Sequence, residues 1–402
     1  MGLDMTTASD ALKQDYQPTI REQLNNINVT LSQIEKNTED TEGLEAILSL
    51  HVTRNSGVGA RAEGGTLPTA GAQGYKKSTI DLRRNYGRIQ VSGPVIRAMR
   101  TNKGAWVRAV ESETKGVVKD LKRDVNRQVN GTSDGVIGNL GTTTASTTVV
   151  ASNFTAVQMR QIENGMVIDI GTVASPTTIA SARTVSAVDR AAKTFVISGA
   201  AVTTSSSHYV FRSGAGGDGS SQKELTGLQT IVKASGTLFD VDPATYSDWA
   251  SYVDNVSSNR APTDTLFEKA MDETNISSGQ DHWMVVTSHG VSRNYAAQLK
   301  AQKRFANTND LKGGFKGLAI ETPVGSATLT VDRDHPNNEA TGLATDHLVE
   351  FMASEWEFMD EDGAVLSRVV DKDAYEATLF KYHELATDQR NTHFRLTDLS
   401  EA

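Results

Sequence analysis

Apolar and polar residues alternate in two neighbouring stretches of the chain, at 79–82 and 86–91. Alternation with a period of two places the apolar side chains on one face of a β-strand, so these stretches predict a two-stranded ribbon. A glycine-rich segment that begins at residue 54 runs directly into it. An isolated ribbon is only marginally stable in water, so its apolar face must lie on another surface. We expect that surface to belong to a neighbouring copy of the chain.

Two further stretches carry apolar residues at helical spacing. At 18–37, Pro18 is placed for a helix start, and the apolar stripe predicts a helix that packs either on its own subunit or on a neighbour. Residues 103–130 lack proline and predict one helix of roughly 40 Å. Between the two helices, residues 44–52 predict a strand. The two stripes consist of Ile20, Leu24, Ile27, Leu31 and Ile34, and of Trp106, Val110, Val117, Leu121, Val125 and Val129.

The composition changes after Gly131, where Ser, Thr, Gly and Val become frequent. Short β-type runs closed by turns predict a small β-barrel or sandwich over 135–222. The turn at 189–193 joins two of the runs as a hairpin, and the glycine-rich segment 214–219 predicts a linker back to the rest of the chain. The four runs are at 165–170, 183–188, 194–198 and 208–212.

Helices and short apolar strands alternate over 242–331, a pattern that predicts an α/β lobe. Asp242 and Pro243 mark a helix start, and Thr263 marks a second one. The first helix would bury Tyr246, Trp249, Val253 and Val256, and the second Leu266, Phe267, Ala270 and Met271. A strand at 283–286, a third helix at 291–305 and strands at 318–320 and 327–331 complete the lobe.

Long strands dominate the chain after His347. Acidic turn sequences at 360–363 and 371–373 separate them. We expect these strands to form a sheet beside the long helix of 103–130. The predicted strands are 348–352, 355–358, 364–370, 374–385 and 392–396.

Three short sequences carry a family resemblance: RNSGVGARAEGG at 54–65, LP at 67–68 and YGRIQVSGPVI at 86–96. Together they resemble the extended loop of the major capsid proteins of tailed bacteriophages with the HK97-type fold. The order of elements that follows also resembles this family. The resemblance implies a subunit that assembles itself into an icosahedral shell around packaged double-stranded DNA.

The resemblance also implies a fold class and a division of the chain. The class is α+β, an HK97-type capsid fold with an inserted, small, β-barrel-like domain. The parts would be an N-terminal arm (1–53), the extended loop (54–100), the spine helix of the P-domain (101–134), the inserted domain (135–222), the A-domain (223–345) and the C-terminal strands of the P-domain (346–402).

Composition adds bounds to this interpretation. The chain has 402 residues, a formal net charge of −9 and no cysteine. Its stability therefore cannot come from disulfides or thiolate metal sites. The negative balance argues against a large phosphate-clamping surface, and it is compatible with a shell wall along which packed DNA slides. With no signal-like leader and no long apolar run, we expect a soluble protein that is not secreted and has no membrane partner.

No motif predicts catalysis, a cofactor or a metal ion. The sequence GVGARA at 57–62 approaches a dinucleotide fingerprint, but it is followed by glycines and a proline that cannot open a helix. The sequence HELAT at 383–387 begins like a zinc-protease motif, but Thr387 stands where the second histidine is needed. We therefore expect a protein that is not an enzyme and binds no cofactor.

Charged residues in the extended loop are candidates for contacts between subunits, because guanidinium groups suit carboxylates. Solvent exposure is the alternative for each of them, and for the two lysines we favour an ion pair over a covalent crosslink. Glycines in the loop are candidates for a hinge, which would let the arm take different angles in hexamers, pentamers and an expanding procapsid. The contact candidates are Arg61, Glu63, Lys76, Lys77, Arg83, Arg84 and Arg88, and the hinge candidates are Gly57, Gly59, Gly64 and Gly65.

The expected partners are further copies of the chain in hexamers and pentamers, a portal protein, scaffold and decoration proteins, and non-specifically bound DNA. The location would be the virion capsid, assembled in the host cytoplasm. Two alternatives stay open. One is the shell of an encapsulin-like nanocompartment that holds cargo enzymes, and the other is an adhesin or carbohydrate-binding module formed by 135–222.

Overall fold

The computed structural model describes residues 28–93, 103–217, 222–301, 308–310, 316–360 and 365–402. Its helices are α1 (Val29–Gln33), α2 (Lys103–Val129), α3 (Ala156–Gln161), α4 (Leu228–Ile231), α5 (Asp264–Ser278) and α6 (His289–Ala301). Its strands are β1 (Glu35–Asn37), β2 (Thr41–Glu42), β3 (Glu45–Thr53), β4 (Gly74–Asp81), β5 (Arg83–Ser92), β6 (Val136–Asn139), β7 (Thr143–Ser146), β8 (Thr148–Val150), β9 (Val167–Thr172), β10 (Ser175–Asp189), β11 (Thr194–Ile197), β12 (Val202–Thr204), β13 (Tyr209–Arg212), β14 (Tyr252–Asp254), β15 (His282–Thr287), β16 (Thr308–Asp310), β17 (Lys316–Glu321), β18 (Ser326–Val331), β19 (Ala340–Leu343), β20 (Leu348–Met352), β21 (Glu357–Phe358), β22 (Ser367–Arg368), β23 (Ala374–Thr387) and β24 (Phe394–Leu396).

The long helix α2 lies on a sheet built around the long strand β23. β23 pairs antiparallel with β5, from Ala374 opposite Ser92 to His383 opposite Arg83, and on its other edge with β20. β1 extends this sheet by pairing parallel with β20. Gly87 of β5 lets the helix approach closely, since a Cβ there would lie 2.5 Å from Cδ1 of Leu121. The predicted long helix and the sheet beside it are both confirmed.

The ribbon consists of β3 and β4, and not of the two stretches that the sequence predicts as a pair. β4, which contains residues 79–81, pairs with β3, and β5, which contains 86–91, pairs with β23. The prediction that the stretches at 79–82 and 86–91 pair with each other is therefore wrong. Both stretches alternate as β-strands should, but alternation does not specify the partner of a strand. The chain changes sheets between Asp81 and Arg83, and the loop at 54–73 joins β3 to β4 at the far end of the ribbon.

The inserted region forms one six-stranded sheet in the order β6-β13-β9-β10-β11-β8, with β7 and β12 as a separate pair. All four predicted β-runs are strands, and the predicted hairpin joins β10 to β11. No ladder joins β6 to β8 in the described residues, although Gly141 N–H donates to Val150 O at 2.9 Å between the two edges. Closure into a barrel therefore stays a prediction.

The α/β lobe contains a seven-stranded sheet in the order β14-β24-β19-β15-β18-β17-β16. Helix α5 begins after Thr263, whose side chain accepts a hydrogen bond from Leu266 N–H, as the sequence predicts. Phe267, Met271, Trp283 and Phe394 belong to the buried core between this helix and the sheet. The predicted strands at 283–286, 318–320 and 327–331 are confirmed.

The helix predicted over 242–256 is not present. Residues Ser247–Trp249 form a single 3-10 turn, and Tyr252–Asp254 form β14, which pairs parallel with β24. The helical spacing of Tyr246, Trp249 and Val253 is misleading, because Trp249 packs in a core beneath the ribbon while β14 joins the sheet edge. Tertiary contacts override the local pattern here.

Three other boundaries also differ. β24 joins the sheet of the α/β lobe instead of the sheet beside α2, so the predicted 392–396 strand lies in the other sheet. Of the helix predicted at 18–37, the part after Asn28 ends at Gln33 and gives way to β1, and residues 18–27 lie outside the described residues. The strand predicted at 364–370 is reduced to β22, and most of the turn at 360–363 and of the predicted helix end at 302–305 lies outside the described residues.

Candidate assembly surface

The root of the ribbon, which is the part of β3 and β4 before the tip at 54–73, packs on other parts of the same chain. Ala46 and Ile80 lie against Phe351 and Ala386 of the central sheet. Nearer the loop, Leu50 packs in a second small core with Val241 and Trp249. The expectation that a neighbouring copy covers this face is therefore wrong for the root, because the segment around 239–249 already does so.

The ribbon tip, residues 54–73, is exposed. Two large apolar side chains project from it, with Val58 84% and Leu67 80% exposed. At the start of β4, Tyr75 is also exposed and lies beside the ring of His51, with the ring centroids 5.3 Å apart. Apolar side chains at the end of an anchored projection form a surface that nothing in the described part of this chain covers.

Turns within the tip give it a defined shape. Arg61 Nε donates to Thr66 O at 3.0 Å, and Gly65 N–H donates to Ala62 O at 2.9 Å. Gly64 occupies the left-handed region of the second turn, with φ of 75°. A Cβ on Gly57 would lie 2.9 Å from the backbone nitrogen of Gly71, so the two arms of the tip are in close contact there.

The four hinge candidates, Gly57, Gly59, Gly64 and Gly65, all lie in this tip. Gly64 and Gly65 lie in the turn that Gly65 closes on Ala62, Gly57 lies at the close backbone approach, and Gly59 lies beside the Arg61 side chain. A hinge role for them stays a prediction.

Four of the seven contact candidates have partners within the chain. Arg83 Nε lies 3.0 Å from Glu384 Oε2, and Arg88 pairs with Glu376. Lys76 donates to the carbonyl oxygen of Asp240, and Arg61 bonds within the tip. In the described residues the other three, Glu63, Lys77 and Arg84, are exposed and have no such partner. Their proposed role between subunits stays a prediction.

A buried polar chain that sequence reasoning missed runs between the central sheet and helix α2. Glu350 Oε1 accepts from Lys381 Nζ at 2.7 Å and lies 2.6 Å from His383 Nδ1. The other ring nitrogen of His383 is 2.9 Å from Asn85 Nδ2, and Asn85 Oδ1 accepts from Gln128 Nε2 of α2. The polar chain thus ties β20, β23, β5 and α2 together. Its sequence signal was the polar residues 381, 383 and 384 within an apolar strand.

The charges in this polar chain balance one another. Burial opposes ionisation of Glu350, but the Lys381 ammonium and the bond from His383 outweigh it and hold the Glu350 pKa far below its usual range. Burial lowers the pKa of His383, and the neighbouring Lys381 adds to this effect. A neutral His383 that donates through Nδ1 to Glu350 and accepts at Nε2 from Asn85 satisfies both bonds.

Glu384 follows His383 on β23 and forms an ion pair with Arg83 of β5. Its Oε1 accepts from Thr226 N–H at 2.6 Å and from Leu385 N–H at 2.9 Å. Burial raises the pKa of Glu384 to about 7, against the opposing effects of Arg83 and these N–H groups. This carboxyl group therefore titrates near neutral pH at the junction of β5, β23 and the segment before α4.

The described residues contain no group of three or more histidine, cysteine, aspartate or glutamate side chains that could hold a metal ion. Residues 383–387 are strand, which a zinc-protease helix cannot be, and 57–62 lie in the ribbon tip. Among the same residues, no helix is long and apolar enough to cross a membrane.

Comparison with known proteins identifies the fold. Neither a protein-family model nor a curated protein matches the sequence. The chain is similar to a structure of the cyanophage A-1(L) capsid asymmetric unit, with a TM-score of 0.54 and 12% identity, over 92% of this chain and 90% of that one. It also matches the holo-SrpI encapsulin complex of Synechococcus elongatus PCC 7942, with a TM-score of 0.47 and 7% identity, over 91% and 85% of the two chains. The first likeness confirms the predicted α+β capsid fold of the HK97 type.

Proposed function

We propose that this chain is the major capsid protein of a tailed bacteriophage, which assembles itself into the icosahedral shell around the double-stranded DNA genome. The observation that carries the proposal is the ribbon, on a chain with a capsid fold. Its root is fixed in the subunit, and its tip presents Val58 and Leu67 to a partner.

The geometry of the ribbon suits repeated association. Exposed apolar side chains gathered at one place mark contact sites, in contrast to apolar residues scattered singly over a surface. Because the turns of the tip already fix its backbone, little conformational freedom is lost on docking. Small contacts of this kind are multiplied by closed symmetry, so that weak pairwise binding gives a durable shell.

The proposal also names the partners of the chain and the place where the shell assembles. Hexamers and pentamers of the chain would form the shell in the host cytoplasm, with a portal protein at one vertex and scaffold or decoration proteins as further partners. The net charge of −9 suits a wall that holds DNA without strong, specific contacts. No catalytic step is assigned to the buried titratable groups.

The contents of the particles test the proposal. Particles purified from cells that express the chain with its neighbouring genes should contain double-stranded DNA that DNase cannot reach until the shell is opened. Particles that contain enzymes and no protected DNA would instead indicate a nanocompartment. A chain that forms no particles in this setting would contradict both kinds of shell.

A further inference from the structure

The inserted domain has a core of its own. Every buried member of its apolar cluster lies between Ile137 and Val210, and none comes from the sheet beside α2 or from the α/β lobe. The domain therefore does not depend on those two cores for its apolar packing. This is the first condition for movement as a rigid unit.

The chain enters and leaves this domain through a narrow neck. Gly217 N–H donates to Asp134 O at 3.3 Å, so the incoming and outgoing segments lie side by side. Left-handed backbone angles occur at Ser133, Gly135 and Gly214, with φ of 72°, 77° and 78°. A neck of two adjacent segments with turns at its base provides one axis about which the domain can rotate.

Beyond the neck, three polar contacts join the domain to the rest of the chain as far as the structure describes it. Arg212 Nη1 lies 3.1 Å from Asp124 Oδ1, and Arg123 Nη1 lies 2.7 Å from Glu163 Oε1. Val157 N–H donates to Asn337 Oδ1 at 3.4 Å. The first two are ion pairs between helix α2 and the domain, and both involve partly exposed side chains, with Arg212 43% and Glu163 48% exposed.

Two open clefts lie at this junction. One, of about 300 Å³, lies between α2 and the domain and is lined by Asp120, Arg123, Arg160, Glu163, Arg212 and Arg333. The other, of about 280 Å³, is lined by the polar residues Asn130, Gln158 and Asn337 and also by the apolar residues Val157 and Pro336, among others. The domain thus meets the rest of the subunit over a surface that is interrupted by clefts and is only partly apolar.

We propose that the inserted domain swings as a rigid body on this neck, and that the Arg212–Asp124 and Arg123–Glu163 pairs form the latch that holds it against helix α2. Partly exposed ion pairs are weak and are screened by salt, so the latch is poised to open. Such movement would let the domain keep its own contacts while the spine helix changes its orientation. The inference holds whether or not the chain forms a shell.

Distances between spin labels test the latch. The sequence has no cysteine, so Lys119→Cys on α2 and Ala187→Cys on β10, both exposed, give one labelled pair in the full-length protein. Diluting labelled with unlabelled protein removes distances between subunits. We expect a narrow distance distribution at low salt, and about twofold broadening or a clear shift at about 1 M salt.

Variants separate the latch from general effects on folding. Arg212→Gln with Glu163→Gln should broaden the distribution at low salt. Arg160→Gln should not, because Arg160 lines the same cleft without an ion-pair partner in the described residues. In a chain that is otherwise wild type, reversing the charges of one pair with Arg123→Glu and Glu163→Arg should give the narrow distance distribution of the wild type. If the double glutamine variant matches the wild type at both salt concentrations, the latch is refuted, and so it is if the reversed pair gives the same broad distribution as the glutamine variant.

Discussion

The buried charged side chains of Lys381, Glu350 and Arg390 each have a bonding partner. Lys381 and Glu350 are both 1% exposed, and they form an ion pair with each other while His383 stays neutral between Glu350 and Asn85. Arg390, also 1% exposed, donates to the carbonyl oxygens of Ile231, Gly236 and Thr230. Removing one partner from such a group leaves an uncompensated buried charge, which is far more costly than losing an exposed pair.

Sequence reasoning at the residue scale found the exposed loop residues but not this buried polar chain. A lone lysine or histidine in a strand gives no sign of whether a carboxylate from a distant strand will lie beside it. Glu350 precedes Lys381 by 31 positions, and only the pairing of β20 with β23 brings them together. Such groups become predictable once the strand order is known.

Glu384 gives the subunit a dependence on pH that can be measured. Its pKa of about 7 lies above the 4.5 of an unperturbed glutamate, so the folded state binds the proton more tightly than the unfolded state. The stabilisation is complete below pH 4.5 and is lost as the pH rises towards 7. Between pH 5 and pH 8, Glu384→Gln should gain roughly 2–3 kcal/mol in free energy of unfolding relative to the wild type.

Urea unfolding of both proteins at the two pH values measures this difference. Burial lowers the pKa of the buried histidines, so unfolding lets them take up protons in this range, but this effect is common to both proteins and cancels. Glu376→Gln, which removes a half-buried glutamate on the same strand that pairs with the exposed Arg88, is the control and should show no such gain. A constant difference between Glu384→Gln and wild type at pH 5 and pH 8 would show that Glu384 does not titrate as described.

At the scale of elements, periodicity identified the segments that pack on one continuous surface. Helix α2, helix α5 and strands β5, β15 and β23 each bury one regular face or run, and the sequence predicts all five. Periodicity predicts the wrong structure over 242–256, because apolar residues that are close together in sequence there pack in two different cores. The pairing of strands could not be predicted from the sequence either, because Ile80 and Ile89 follow the same alternating pattern although they lie in different sheets.

The ribbon tip can be altered without disturbing the core of the subunit. Val58→Ser with Leu67→Ser replaces two side chains that are 84% and 80% exposed, so the thermal unfolding temperature of the dissociated subunit should stay within about 2 °C of wild type. Assembly should fall sharply, because the apolar contact with a neighbour is lost. Sedimentation velocity measures the assembled fraction.

The matched control for the tip is Ile276→Ser on helix α5, which is also 80% exposed but distant from the ribbon in sequence and outside its two cores. It should assemble as the wild type does. If the tip variant assembles as fully as the wild type, the tip is not a contact surface. If both variants lose assembly equally, the effect is not specific to the ribbon.

The whole molecule combines a fixed body with two projecting parts. The central sheet, α2 and part of the α/β lobe share one apolar core and form the body, whereas the inserted domain and the outer part of the ribbon pack in separate cores. The ribbon is anchored through apolar cores at its root, whereas the inserted domain is joined to the body by a neck and by ion pairs with helix α2. We therefore expect the ribbon to keep its place at the root, and the inserted domain to move as proposed above.

Electron microscopy of the purified wild-type chain, across a range of concentration and salt, tests the central claim most directly. We predict closed, hollow particles of regular size, built from many copies of this subunit, with the ribbon tip of each copy resting on its neighbour. A chain that stays monomeric under every condition, with its tip in contact with nothing, would contradict the assignment of this protein as a shell subunit.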